Sequence, residues 1–138
     1  MTSPFPVGTM DQPGSLAYRM GIALLEAAPE RVVGTMPVEG NTQPFGLLHG
    51  GASCVLAETL ASVGAHLHAA QRPGGYAVGV DLNATHHRPV RTGIVTGVAT
   101  PLHLGRSIAS YEVVVTDPAG DRVCTARITC AVRRSERD

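Results

Sequence analysis

NTQPFGLLHGGASCVLAETLASVGA, residues 41–65, sets Gly50 and Gly51 directly before a helical pattern and a single carboxylate, Glu58, in its middle. Glycine weakens a helix interior but costs little at a helix start, and it lets another molecule come close to the backbone. A helix start also presents unpaired N–H groups and the positive end of the macrodipole, which suit an anion or a polarised carbonyl oxygen. The glycine pair therefore marks a candidate site, and the reach of Glu58 decides its kind. The pattern runs from Gly50 to Ala70, and Ala52, Ser53, Ala57, Ala61, Ser62, Gly64 and Ala65 keep it small on several faces. Other backbone can then approach it all round, so it reads as a buried central helix.

Outward from this helix, Met1–Pro13 is rich in Pro, Gly, Ser and Thr and reads as a flexible arm. Ser15 is placed to cap a short helix from Leu16 to Ala27, closed by Pro29, and Arg31–Val38 reads as a first strand. After the central helix, Tyr76–His87, Gly93–Leu104, Ser107–Thr116 and Arg122–Arg133 are rich in Val, Ile and Thr, with turn residues such as Asp117-Pro118-Ala119-Gly120 between them. These read as four strands joined in a meander. In the last, Cys124, Ala126, Ile128, Cys130 and Val132 alternate with Val123, Thr125, Arg127, Thr129 and Arg133, the pattern of a sheet with one covered face. The central helix is the cover. Pro101 predicts a bulge or a free edge within Gly93–Leu104. The expected architecture is α+β: one domain over residues 14–134, with a long helix wrapped by a five-stranded antiparallel sheet, and a short tail over residues 135–138.

Composition bounds the function. A chain of 138 residues, 43% of them apolar, suits one domain with a sizeable core. Eleven Lys and Arg balance eleven Asp and Glu, so no overall basic field exists to hold nucleic acid or an anionic membrane. No basic segment followed by an apolar run opens the chain, and Gly21–Ala28 is interrupted by Glu26 and too short to span a bilayer. A cytoplasmic protein is expected. The odd count of three cysteines fits reduced thiols. Cys124 and Cys130 lie roughly 20 Å apart along one strand, too far for a disulfide. His66 and His68, and likewise His86 and His87, lack a zinc spacing, and no Cys or carboxylate completes a set. Neither a metal nor another cofactor is expected.

Three separated runs, NTQPFGLLHGGASCVLAET at 41–59, NATHHRP at 83–89 and PLHLGRS at 101–107, resemble the hotdog-fold acyl-CoA thioesterases in the same order. The resemblance extends from the first helix onward. It is strongest to the 1,4-dihydroxy-2-naphthoyl-CoA thioesterases of menaquinone synthesis and the proofreading thioesterases of enterobactin synthesis. It implies that Glu58 is the catalytic carboxylate and that the N–H of Gly50, beside Gly51, polarises the thioester carbonyl. Gln43 and His49 match residues that bind or orient that carbonyl, and Ser62 matches a serine that holds carboxylate, water or substrate. His86 matches a histidine near the thioester and its pantetheine arm, and the adjacent His87 is a departure that leaves open which imidazole faces the site. His103 is either structural or near the coenzyme. Arg88, Arg91 and Arg106 suit the phosphates of coenzyme A, although a solvated surface charge describes each equally well.

Spacing adds an independent constraint. Gly50 and Glu58 are eight residues apart, so on one straight helix they stand roughly 12 Å apart along the axis. They cannot act on one carbonyl from the same helix. If both act, a site joins the helix start of one subunit to Glu58 of another, and a two-fold axis between antiparallel helices creates two such sites. The family implies the same: a homo-oligomer with sites at the dimer interface, often a tetramer. Thioester hydrolysis needs an oxyanion stabiliser and a nucleophile or base, which Gly50 and Glu58 would supply. The expected function is hydrolysis of an aromatic, hydroxylated acyl-CoA, with 1,4-dihydroxy-2-naphthoyl-CoA the leading candidate. One alternative is a broad proofreading thioesterase acting on aryl or medium-chain acyl groups of CoA or of an acyl or aryl carrier protein. The other is a non-catalytic acyl-CoA-binding module, against which Glu58 argues, since binding alone needs no carboxylate beside a thioester.

Overall fold

The computed structural model describes residues 8–9 and 12–135, so most of the expected arm and all but Ser135 of the expected tail lie outside the described residues. In chain order the elements are β1 (Gly8–Thr9), α1 (Leu16–Met20), β2 (Ala23–Ala28), β3 (Arg31–Pro37), α2 (Gly50–Ala69), β4 (Gly75–His86), β5 (Ile94–Leu104), β6 (Ile108–Thr116) and β7 (Arg122–Arg134). The strands form one antiparallel sheet in the order β1-β2-β3-β5-β6-β7-β4, and α2 packs against the inner face of β2 to β7. This is the hotdog arrangement. Among the described residues no helix is long and apolar enough to cross a membrane.

Among the described residues the sheet has seven strands, not the five expected, and both additions lie at the N-terminal edge. The helix expected over Leu16–Ala27 stops at Met20, where Gly21 adopts φ 75° and its N–H returns to the carbonyls of Ala17 and Tyr18. That left-handed cap turns the chain, and Ile22 and Leu24 enter the core as the next residues become β2. Gly8 and Thr9 pair with Leu24 and Ala23 to form β1. The four later strands are not a simple meander: β5, β6 and β7 are consecutive neighbours, but β4 pairs with β7 at the far edge. The bulge anticipated at Pro101 is present, as a register shift between Pro101 and His103.

Glycines in the sheet admit the side chains of α2 and of the core. Gly34 and Gly97 face each other across β3 and β5. A Cβ on either would meet the Leu60 methyls, at 2.5 Å from Gly34 and 2.8 Å from Gly97, so the pair forms a dimple that receives Leu60. Gly64 on α2 plays the reciprocal part, since a Cβ there would stand 2.7 Å from the hydroxyl of Tyr111. Tyr111 is fully buried and donates to the Pro29 carbonyl at 2.6 Å, so its ring cannot swing aside.

Candidate functional site

The loop before α2 is held at both ends. Asn41 donates to the carbonyls of Met20 at 2.9 Å and Pro37 at 2.8 Å, and Leu48 N–H donates to Val90 at 2.7 Å. Within it Gly46, at φ 84°, closes a turn on the Gln43 carbonyl. The Gln43 side-chain oxygen accepts from the N–H groups of Phe45 and Leu47, which fixes the carboxamide and leaves its NH₂ as the free donor. His49 then caps α2: its Nδ1 accepts from Gly51 N–H at 2.8 Å. The His49 ring and the Gly51 N–H are thereby occupied with each other. Gly50 N–H has no acceptor among the described residues and stands at the positive end of a 20-residue helix.

His86 stands against Gly50. It ends β4 on the inner face, opposite Cys124, and a Cβ on Gly50 would lie 2.9 Å from His86 Nε2. The next residue turns the other way, and His87 Nε2 bonds Thr125 Oγ1 at 2.9 Å on the outer face of the sheet. Of the two imidazoles, His86 is the one beside the helix start. Gln43, Gly50, Ser53, His86, His87 and Arg88 all line one hollow of about 380 Å³, and of the two histidines it is His86 that stands against Gly50.

Glu58 and Ser62 lie elsewhere. They share a second hollow of about 490 Å³ with Leu16, Val55, Val63 and Ala77. Ser62 hydrogen-bonds the Cys130 thiol, which burial and, less strongly, the Glu58 carboxylate push up while this bond pulls it down. Cys54, one turn before Glu58, is raised by burial first and by Glu58 second. Cys124 is pushed up to about 11 by burial and by Cys54. All three thiols are free. Among the described residues no three His, Cys, Asp or Glu side chains stand where they could share a metal ion.

The expected coenzyme-binding residues scatter. Arg88 pairs with Asp121 at 3.4 Å. Arg91 is exposed and lines neither hollow. His103 follows the β5 bulge, where a Cβ on Gly105 would meet its ring, and also lines neither hollow. Arg106 lines a third hollow of about 330 Å³ at the C-terminal end of α2, together with Arg72, Arg133, Arg134 and His68. His68 Nε2 contacts the Gly105 carbonyl at 2.7 Å and ties that end of α2 to the β5–β6 turn. Sequence reasoning missed this arginine group, whose members come from three separate parts of the chain.

Residues 45–124 match the thioesterase superfamily. The chain is 48% identical over 128 residues to proofreading thioesterase EntH of Cronobacter sakazakii, covering 91% of this chain and 87% of that protein. It is 51% identical over 120 residues to the EntH of Klebsiella pneumoniae, covering 86% and 81%. Among solved structures, a thioesterase of Haemophilus influenzae superposes with a TM-score of 0.83 at 36% identity, covering 91% of this chain and 89% of its own. A mutant thioesterase of Pseudomonas aeruginosa gives 0.84 at 39%, covering 90% and 89%. With a long helix capped by His49, an open Gly50 N–H at its start and a lone carboxylate at mid-length, this chain belongs to the thioesterase superfamily and is a thioester hydrolase of the hotdog fold.

Proposed function

We propose that two copies of this chain share each active site, and that the site hydrolyses aryl or medium-chain acyl thioesters borne on coenzyme A or on a carrier protein. Relatives at 48% and 51% identity carry the name proofreading thioesterase, which favours this broad reading over a single dedicated acyl-CoA. The observation that carries the shared site is the division of the catalytic set. Gly50, Gln43 and His86 line one hollow, and Glu58 and Ser62 line another. A second copy with its α2 antiparallel brings each helix start against the other's Glu58, twice around one two-fold axis. Apolar side chains flank both halves in support: Leu16 is 55% exposed beside Glu58, and Phe45, on the loop that carries Gln43, is 83% exposed. Doubling of this dimer gives the tetramer expected from the family.

In this arrangement the thioester oxygen accepts from Gly50 N–H, and its developing negative charge sits at the positive end of α2. Glu58 of the second copy takes a proton from the attacking water or attacks the carbonyl carbon itself, and water then releases the acid. Either way the C–S bond breaks, the thiol leaves with a proton, and one water is consumed. His86 flanks the pantetheine arm, and the arginine group around Arg106 suits its phosphate end. Arg88 is less available, being engaged by Asp121.

The test compares kcat/KM for benzoyl, hydroxybenzoyl, medium-chain and 1,4-dihydroxy-2-naphthoyl thioesters of CoA, beside one acylated aryl carrier protein. Activity spread over the aryl and medium-chain members is expected. A steep preference for the naphthoyl thioester alone would select the dedicated menaquinone enzyme instead. Glu58→Gln should lower kcat by on the order of 10² to 10⁴ with a much smaller change in KM. Near wild-type turnover in that variant removes Glu58 from the chemistry.

A further inference from the structure

β4 passes beneath the middle of α2 at Gly79, and a Cβ built on this glycine would stand 2.7 Å from Glu58 Oε2 and 3.6 Å from Glu58 Cδ. The first distance lies well inside ordinary contact. Gly79 belongs to the inner column of β4, opposite Cys130, and the ladder shifts register immediately after it, between Gly79 and Asp81. Its φ lies outside the left-handed region, so the backbone does not require glycine. A glycine inside a strand otherwise weakens it, which leaves clearance for the neighbouring side chain as its physical use.

We propose that Gly79 is a positioning residue for the Glu58 carboxylate: its missing side chain lets the carboxylate fold back against β4, and this fixes the direction from which it meets the thioester. The inference rests on the catalytic reading of Glu58. A methyl group at position 79 would meet the free end of a flexible side chain, so the carboxylate rotates away while strand and helix stay in place. The effect therefore falls on turnover and not on folding.

Gly79→Ala should lower kcat roughly 10-fold to 10²-fold, since small misplacements of a catalytic group cost that much, with KM, melting temperature and oligomer mass close to wild type. Glu58→Asp supplies the decisive comparison, because its carboxylate is one methylene shorter and falls short of the Gly79 clearance. Adding Gly79→Ala to Glu58→Asp should cost much less than adding it to the wild type. A role of Gly79 in strand structure alone would not produce that non-additivity. Wild-type kcat in Gly79→Ala overturns the inference, as does an equal cost in the Asp background, or a loss of folding or assembly, which would mean that the strand moved. Glu58→Gln separates the two failures. If it is inactive while Gly79→Ala is fully active, the positioning role alone is lost; if it is active, the catalytic reading of Glu58 falls and takes the positioning role with it.

Discussion

Cys54 stands midway by residue count between Gly50 and Glu58, and its thiol records the charge of its neighbour. Burial is the larger cause of its raised pKa, and the Glu58 carboxylate adds to it by disfavouring a thiolate one turn away. Neutralising that carboxylate removes the repulsion, so Glu58→Gln should lower the Cys54 pKa and speed its alkylation by iodoacetamide at mildly alkaline pH. Peptide mass spectrometry over time reads this directly, and an unchanged or slower rate would show that the two groups are not coupled. Cys124, at about 11 and buried, should stay unmodified throughout, as should the buried Cys130. At this scale the sequence was informative about identities and weak on neighbours. Glu58 stands out in the sequence as a lone carboxylate in an apolar helix, whereas its closeness to Gly79, 21 residues later, depends on how β4 crosses the helix.

Leu60 and the Gly34–Gly97 dimple carry the same lesson for whole elements. The boundaries of α2 and of β4 to β7 are legible because β-branched runs and small-residue helical spacing persist over many residues. β2 is not, because Leu24, Leu25, Glu26, Ala27 and Ala28 are all good helix formers. Only the turn at Gly21 and the pairing with β3 make them a strand, and pairing is a tertiary effect that overrides local propensity. The place of β4 beside β7 is likewise a long-range pairing that no local pattern encodes. Leu60→Ala should empty the dimple and cost about 2 to 5 kcal/mol. Gly34→Ala should overfill it and cost about 1 to 3 kcal/mol, because its methyl would meet both Leu60 and the Ala23 backbone oxygen. In urea denaturation the double variant should be less destabilised than the sum of the two, since the smaller residue at 60 makes room for the methyl at 34. Strict additivity would mean that the two positions do not share one space.

For the molecule as a whole, the eight-residue spacing of Gly50 and Glu58 divides the proposed site between two copies if both groups act on one carbonyl. Mixing supplies the functional test. Glu58→Gln and a helix-start variant such as Gly50→Pro should each be nearly inactive, and co-refolding them in equal amounts should restore roughly a quarter of wild-type activity if subunits pair at random in a symmetric dimer. Circular dichroism must first show the proline variant folded, with Gln43→Ala as the milder substitute. No recovery in well-mixed heterodimers would place the whole site within one chain.

One strand links these halves mechanically. β4 carries His86 against Gly50 at its end and Gly79 against Glu58 near its middle, yet among the described residues it is an edge strand, paired on one side with β7. Edge strands fray at lower free energy than the sheet interior, so transient peeling of β4 would disturb both hollows in the same event. Heat should then silence the enzyme before the core melts. A partner that lies along the open edge would suppress the peeling, so β4 amides should exchange hydrogen more slowly, and activity should survive heating longer, as protein concentration rises. Exchange rates in β4 that are independent of concentration across the assembly range would show that the edge stays bare, and the resilience of the site would then be a property of the single chain.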